Sequence, residues 1–74
     1  MSFRISEIHA FLAIGDDDEE GLIGTMMAGR WMPFVCADPD RVEALRPLAQ
    51  MVARSSGKRV VLSKFSIRED IEWL

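Results

Sequence analysis

Asp38-Pro39-Asp40-Arg41-Val42-Glu43-Ala44-Leu45-Arg46-Pro47-Leu48-Ala49-Gln50-Met51-Val52-Ala53-Arg54-Ser55-Ser56-Gly57, followed after Lys58 by Arg59-Val60-Val61-Leu62-Ser63-Lys64-Phe65, decides the fold class. Asp38 offers a side-chain acceptor to the first free N–H groups of a helix. Pro39 suits the first helical position, and Gly57 stands just past the last turn as a stop. Between them Val42, Leu45, Leu48, Ala49 and Val52 make one apolar stripe at helical spacing. Pro47 removes the hydrogen bond to the carbonyl of Glu43 and falls nearly opposite the stripe. The spacing therefore predicts a helix over 39–56, kinked or broken at Pro47. Residues 59–65, β-branched at the centre and basic at the ends, predict a strand.

Upstream, Ile8-His9-Ala10-Phe11-Leu12-Ala13-Ile14 is too short for a lone helix and is bounded by Gly15. Alternation puts Ile8, Ala10, Leu12 and Ile14 on one face and His9, Phe11 and Ala13 on the other, the pattern of a central strand with two apolar faces. The acidic run Asp16-Asp17-Asp18-Glu19-Glu20 offers a helix start. Beyond it Leu22, Ile23, Met26 and Met27 share a helical face, although Gly21, Gly24 and Gly29 each cost about 1 kcal/mol inside a helix. A short helix or structured loop is expected there. Trp31 to Ala37 reads as a second strand, at an edge or beginning at Phe34, because Pro33 cannot donate to a ladder. Downstream, Ser66 and Glu69 form a capping box, and Ile67, Ile71 and Leu74 a stripe, predicting a short C-terminal helix.

The expected architecture is α+β, a single domain over 1–74. A three-stranded sheet would have the first strand between the other two, which run parallel across the long helix as crossover. The helix would cover one face, and His9 and Phe11 would lie on the other. A 74-residue chain, 49% hydrophobic and 28% charged, buries only roughly 60% of its unfolded surface, so oligomerisation would help it. The apolar fraction excludes disorder, and no apolar run approaches the ~20 residues of a membrane span. The start, Met1-Ser2-Phe3-Arg4-Ile5-Ser6-Glu7, is not a signal peptide. A lone Cys36 makes no internal disulfide, and zinc sites need more Cys and His than one of each. A reducing cytoplasm fits, with no cofactor and no membrane contact.

Net charge is −3, unevenly placed. Over residues 1–37 two basic residues stand against six acidic ones. From 41 to 68 seven basic residues stand against Glu43 alone, so the chain is internally complementary. The stretches Gly29-Arg30-Trp31-Met32-Pro33, Asp38 through Ala49 and Phe65-Ser66-Ile67-Arg68-Glu69 resemble small uncharacterised proteins of bacteria and their phages. That resemblance covers about half the chain and implies no activity.

Candidate chemistry is sparse. Asp16, Asp18, Glu20 and Gly21 occupy positions 1, 3, 5 and 6 of an EF-hand-like loop, with Ile23 at position 8. The twelfth position needs a bidentate carboxylate and holds Met27, so a solvated capping loop is expected instead. Ser55-Ser56-Gly57-Lys58 lacks the earlier glycine and following hydroxyl of a phosphate-binding loop, with Val52 and Arg59 in those places. Cys36 and His9 are a conceivable nucleophile and base, but an apolar strand supplies neither a thiolate nor a positioned partner. Arg54, Lys58, Arg59, Lys64 and Arg68 are a candidate nucleic-acid patch with Phe65 nearby, in a chain that is acidic overall.

The most informative signal is apolar surplus. Met26, Met27, Trp31, Met32 and Trp73 exceed what one small core accommodates, and Met and Trp are enriched at protein contacts. The sequence therefore points to a non-enzymatic protein–protein interaction module, self-associating as a homodimer or meeting another protein through those five residues. The alternatives are a nucleic-acid-associated protein using the basic patch, or an inhibitor presenting Asp16 to Glu20 to a basic partner.

Overall fold

The computed structural model describes residues 4–74; Met1-Ser2-Phe3, the start of the stretch read as no signal peptide, lie outside the described residues. In chain order the elements are β1 (Ile8–Ile14), β2 (Glu20–Leu22), β3 (Gly24–Met27), β4 (Arg30–Pro33), β5 (Val35–Cys36), α1 (Pro39–Ser56) and β6 (Arg59–Phe65). The architecture is α+β, with one helix and antiparallel strands in a four-stranded and a two-stranded sheet, rather than a single three-stranded sheet.

β1 is central. β6 pairs antiparallel along all of it, from Ile8 opposite Phe65 to Ile14 opposite Arg59. On its other edge β2 pairs with Leu12 to Ile14 and β5 with His9 and Ala10. β5 and β6 thus both run against β1 and parallel to each other, joined by α1. β2 and β5 act as two parts of one strand, and the chain leaves the sheet between them as the hairpin β3–β4. The exit is pinned at one node, where Phe11 N–H donates to Phe34 O (3.1 Å), Ile23 N–H to Phe11 O (3.2 Å) and Phe34 N–H to Ile23 O (2.8 Å).

The hairpin replaces the short helix expected after the acidic run. Ala28 and Gly29 have φ of 50° and 80°, so the chain reverses in two left-handed residues, the twist that suits a two-residue hairpin. Glycines that weaken a helix serve here as turn and contact positions. The strand expected over 31–37 is likewise divided, because Phe34 turns inward at the node and separates β4 from β5. The acidic run starts no helix. It is the turn between β1 and β2, closed by Gly15 N–H to Glu19 O (2.8 Å) and Asp18 N–H to Gly15 O (3.1 Å), with Asp18 at φ 60°.

α1 matches its expected bounds. Asp38 caps it by accepting from Asp40 N–H at 2.9 Å, and Gly57, at φ 72°, closes it by donating to Ala53 O at 3.0 Å. The helix runs unbroken through Pro47, whose exposed position lets it forgo one internal bond. Val42 and Ala49 are buried and Leu45 and Val52 pack beside them, but Leu48 is exposed. The core joins Phe11, Ile23, Phe34, Val42 and Ala49, with Ala13, Val60 and Leu62 against it. α1 therefore covers the Phe11 face of β1, the reverse of the expected arrangement. The larger Phe11 meets the helix, and Ile8, Ala10, Leu12 and Ile14 form the face without one.

The expected C-terminal helix does not form; residues 66–74 have no regular structure. Nine residues cannot repay helix nucleation unless an apolar stripe finds a surface, and Ile67, Ile71 and Leu74 remain exposed. Arg68 instead bonds Asp70 (2.8 Å) and the carbonyl of Ile5 (3.3 Å), tying the two ends of the chain together. Projecting hairpin and extended tail make the molecule elongated. Its radius of gyration is 14.0 Å, against about 11 Å for a compact chain of this length.

Candidate interaction surface

The β3–β4 hairpin is a finger whose base is built for closeness and whose tip is built for contact. At the base Gly24 lies opposite Pro33. A Cβ on Gly24 would overlap the carbonyl oxygen of Met32 and stand 2.9 Å from Pro33 Cα, so only glycine admits this approach. Ile23 and Phe34, at 8% and 2% exposure, anchor the base on Phe11.

Beyond the base, Thr25 faces Met32, Met26 faces Trp31 and Met27 faces Arg30. Directly opposed residues share a face, so Met26 and Trp31 lie on one side of the finger and Met27, Met32 and Arg30 on the other. Met26 is 63% exposed and Trp31 53%, with Met27 and Met32 also exposed. Four of the five residues singled out by composition are thus brought together on one projecting element. Trp73 is exposed too, but on the C-terminal segment, beside a shallow concavity formed by residues 68–74.

The charged candidates are arranged differently. Asp18 of the acidic turn reaches Arg59 at 3.8 Å, Glu7 pairs with Lys64 at 3.1 Å and Asp70 with Arg68 at 2.8 Å, all partly exposed. Arg59 and Lys64 stand on opposite faces of β6, roughly 17 Å apart along it. Only Arg54, Lys58 and Arg59 gather at one end, beside the acidic turn of Asp16, Asp17, Asp18, Glu19 and Glu20. The five basic positions do not form one patch, and three of them have acidic neighbours.

Two residues distant in sequence do meet: His9 lies directly opposite Cys36 on one side and opposite Lys64 on the other. The Nδ1 atom of His9 is buried without a hydrogen-bond partner, and Cys36 is a half-buried free thiol. No hydrogen bond joins them, so the row lacks the nucleophile–base contact that covalent catalysis uses. Among the described residues no group of three or more His, Cys, Asp or Glu is placed to hold a metal ion, and no helix is long and apolar enough to cross a membrane.

Comparison with protein-family models, with curated proteins and with solved structures finds no match. The sequence places Ile23 on a helical face, counts Gly24 against that helix and starts a strand at Phe34, and gives none of them a part as an anchor of the finger. Their signal was the pair Ala28-Gly29 between two apolar runs, a hairpin turn that helical spacing of Leu22, Ile23, Met26 and Met27 concealed.

Proposed function

We propose that this chain is a non-enzymatic protein-binding module that self-associates and that presents the β3–β4 finger, with Met26, Met27, Trp31 and Met32, as an apolar contact surface for a protein partner. The observation that carries the reading is the exposure of those four side chains on an element anchored at its base by the buried Ile23 and Phe34 and the close approach at Gly24. Exposed apolar residues scattered singly need no explanation, whereas a cluster of Met and Trp on a projecting element has the chemistry of protein contacts. Surface area supports it. The chain exposes 6368 Å², where a folded monomer of 8.4 kDa exposes about 4,600 Å². The excess exceeds the ~800 Å² that each partner buries in a standard interface. Trp73, exposed on the C-terminal segment, belongs to the same apolar surplus.

A nucleic-acid role draws less support, because the basic residues are divided between two faces of β6 and partly neutralised. Sedimentation at micromolar concentration in low and high salt tests the proposal. A species heavier than 8.4 kDa that persists in high salt is expected, since apolar association survives screening and phosphate-type contacts do not. A strictly monomeric chain under both conditions would remove self-association.

A further inference from the structure

We propose that two copies of this chain associate through the outer edge of β6, which pairs antiparallel with itself about Leu62. The inference rests on the self-association proposed above, and it assigns that contact to a surface other than the finger, leaving the finger to a different protein.

The direction of the backbone groups follows from one residue. Both the N–H and the C=O of Phe11 are bonded towards the β2/β5 edge, to Phe34 and Ile23. Successive residues of a strand direct their groups to alternate edges, so Ile8, Ala10, Leu12 and Ile14 direct theirs to β6. Their partners there are Phe65, Ser63, Val61 and Arg59. Val60, Leu62 and Lys64 must then point their N–H and C=O groups outward, and among the described residues no hydrogen bond reaches them. This edge carries no proline, and β6 pairs with β1 through all seven residues without a bulge.

The strand is complementary to itself. Full overlap of two antiparallel copies centres on Leu62, with Leu62 opposite Leu62 and Val60 opposite Lys64 of the second copy. Every one of these is an outward-pointing residue, so the register satisfies all three N–H and all three C=O groups of each chain. It also places each Arg59 opposite the other copy's Phe65, on the face that lacks the helix, where a guanidinium can lie over an exposed ring. Sliding the pairing by two residues one way brings Lys64 opposite Lys58, a like-charge clash. On the helix side, a groove between α1 and β6 is lined by Ala49, Gln50, Ala53, Val60 and Leu62. It adjoins the edge where the second copy's Val60 and Leu62 would arrive. The opposite side of the sheet is the interrupted pair β2 and β5 with the finger standing at the break, so it offers no edge for a further copy. Pairing therefore closes at two chains.

Chemical synthesis of the 74-residue chain with the Leu62 amide N-methylated provides the test. That N–H takes no part in the β1–β6 ladder, so circular dichroism should show the wild-type fold. Sedimentation should show association weakened about thirtyfold, as both central bonds are lost to the two-fold. Amide exchange on the unmodified chain needs no variant: the Val60, Leu62 and Lys64 amides should be protected at high concentration and exchange quickly on dilution. Trp31→Ala should remain dimeric. A folded N-methyl variant that still dimerises, or unprotected amides at those three positions in the dimer, would overturn the inference. If Trp31→Ala alone dissociates, the finger is the self-association surface and this edge is not. A wild-type chain that is monomeric at all concentrations overturns this inference and the self-association above together.

Discussion

Phe34 and Trp31 lie three residues apart on the same arm of the finger, and the structure gives them opposite energetic roles. Phe34 is 2% exposed, packs on Phe11 and Ile23, and sits where the hairpin leaves the sheet. Truncating a buried Phe to Ala costs about 3–5 kcal/mol from lost transfer energy and the cavity left behind. A 74-residue domain holds in total roughly 4–11 kcal/mol. Phe34→Ala should therefore remove a large share of the stability, enough to unfold the chain if the total lies near the lower bound. Trp31 is 53% exposed, so about half its surface is out of water. Burial of ~100 Å² sets a ceiling near 2.5 kcal/mol. The retained Ala surface and a compact unfolded state lower this to about 1 kcal/mol. Urea unfolding followed by far-ultraviolet circular dichroism measures both on one scale, with an unchanged slope expected for Trp31→Ala. If Trp31→Ala costs as much as Phe34→Ala, Trp31 belongs to the core and the finger does not project as an exposed contact surface.

Gly24→Ala should open the base of the finger, because the added methyl meets backbone atoms of Met32 and Pro33; loss of cross-strand nuclear Overhauser contacts between residues 25 and 32, with the β1–β6 contacts retained, is the expected result. Asp38→Ala removes the acceptor bonded to Asp40 N–H and should cost about 1 kcal/mol in urea unfolding, whereas Asp38→Asn should cost little. The guanidinium of Arg46 hydrogen-bonds the exposed Glu43 carboxylate at 2.9 Å and, by that bond and its charge, holds the Glu43 carboxyl below its ordinary value. The small stability linked to Glu43 is thus present above the unfolded carboxylate value and lost as pH falls through the lowered folded value. Carbon-detected titration should show Glu43 returning to the ordinary range in Arg46→Ala.

What the sequence alone determined is local. The bounds of α1 follow from Asp38, Pro39 and Gly57, because caps act within one turn and need no distant partner. The strands at Ile8–Ile14 and Arg59–Phe65, and the central position of the first, follow from side-chain alternation and apolar faces on both sides. The Met and Trp surplus was legible as composition, although its gathering on one finger was not. Tertiary structure decided the rest. Leu22, Ile23, Met26 and Met27 suit a helical stripe as well as a hairpin; the Phe11–Ile23–Phe34 node and the Gly24 approach choose the hairpin, and both require residues far apart in the chain. Either face of β1 had apolar residues to receive α1, and the packing of Phe11 with Val42 and Ala49 settled which one. The C-terminal stripe had a capping box but no surface to cover, and a segment of nine residues does not hold a helix by capping alone. His9 and Cys36 met only because β5 returned to the edge that β2 had left. Caps and alternation are short-range and can be read along the chain, whereas the choice between equally plausible apolar faces depends on which one another element covers.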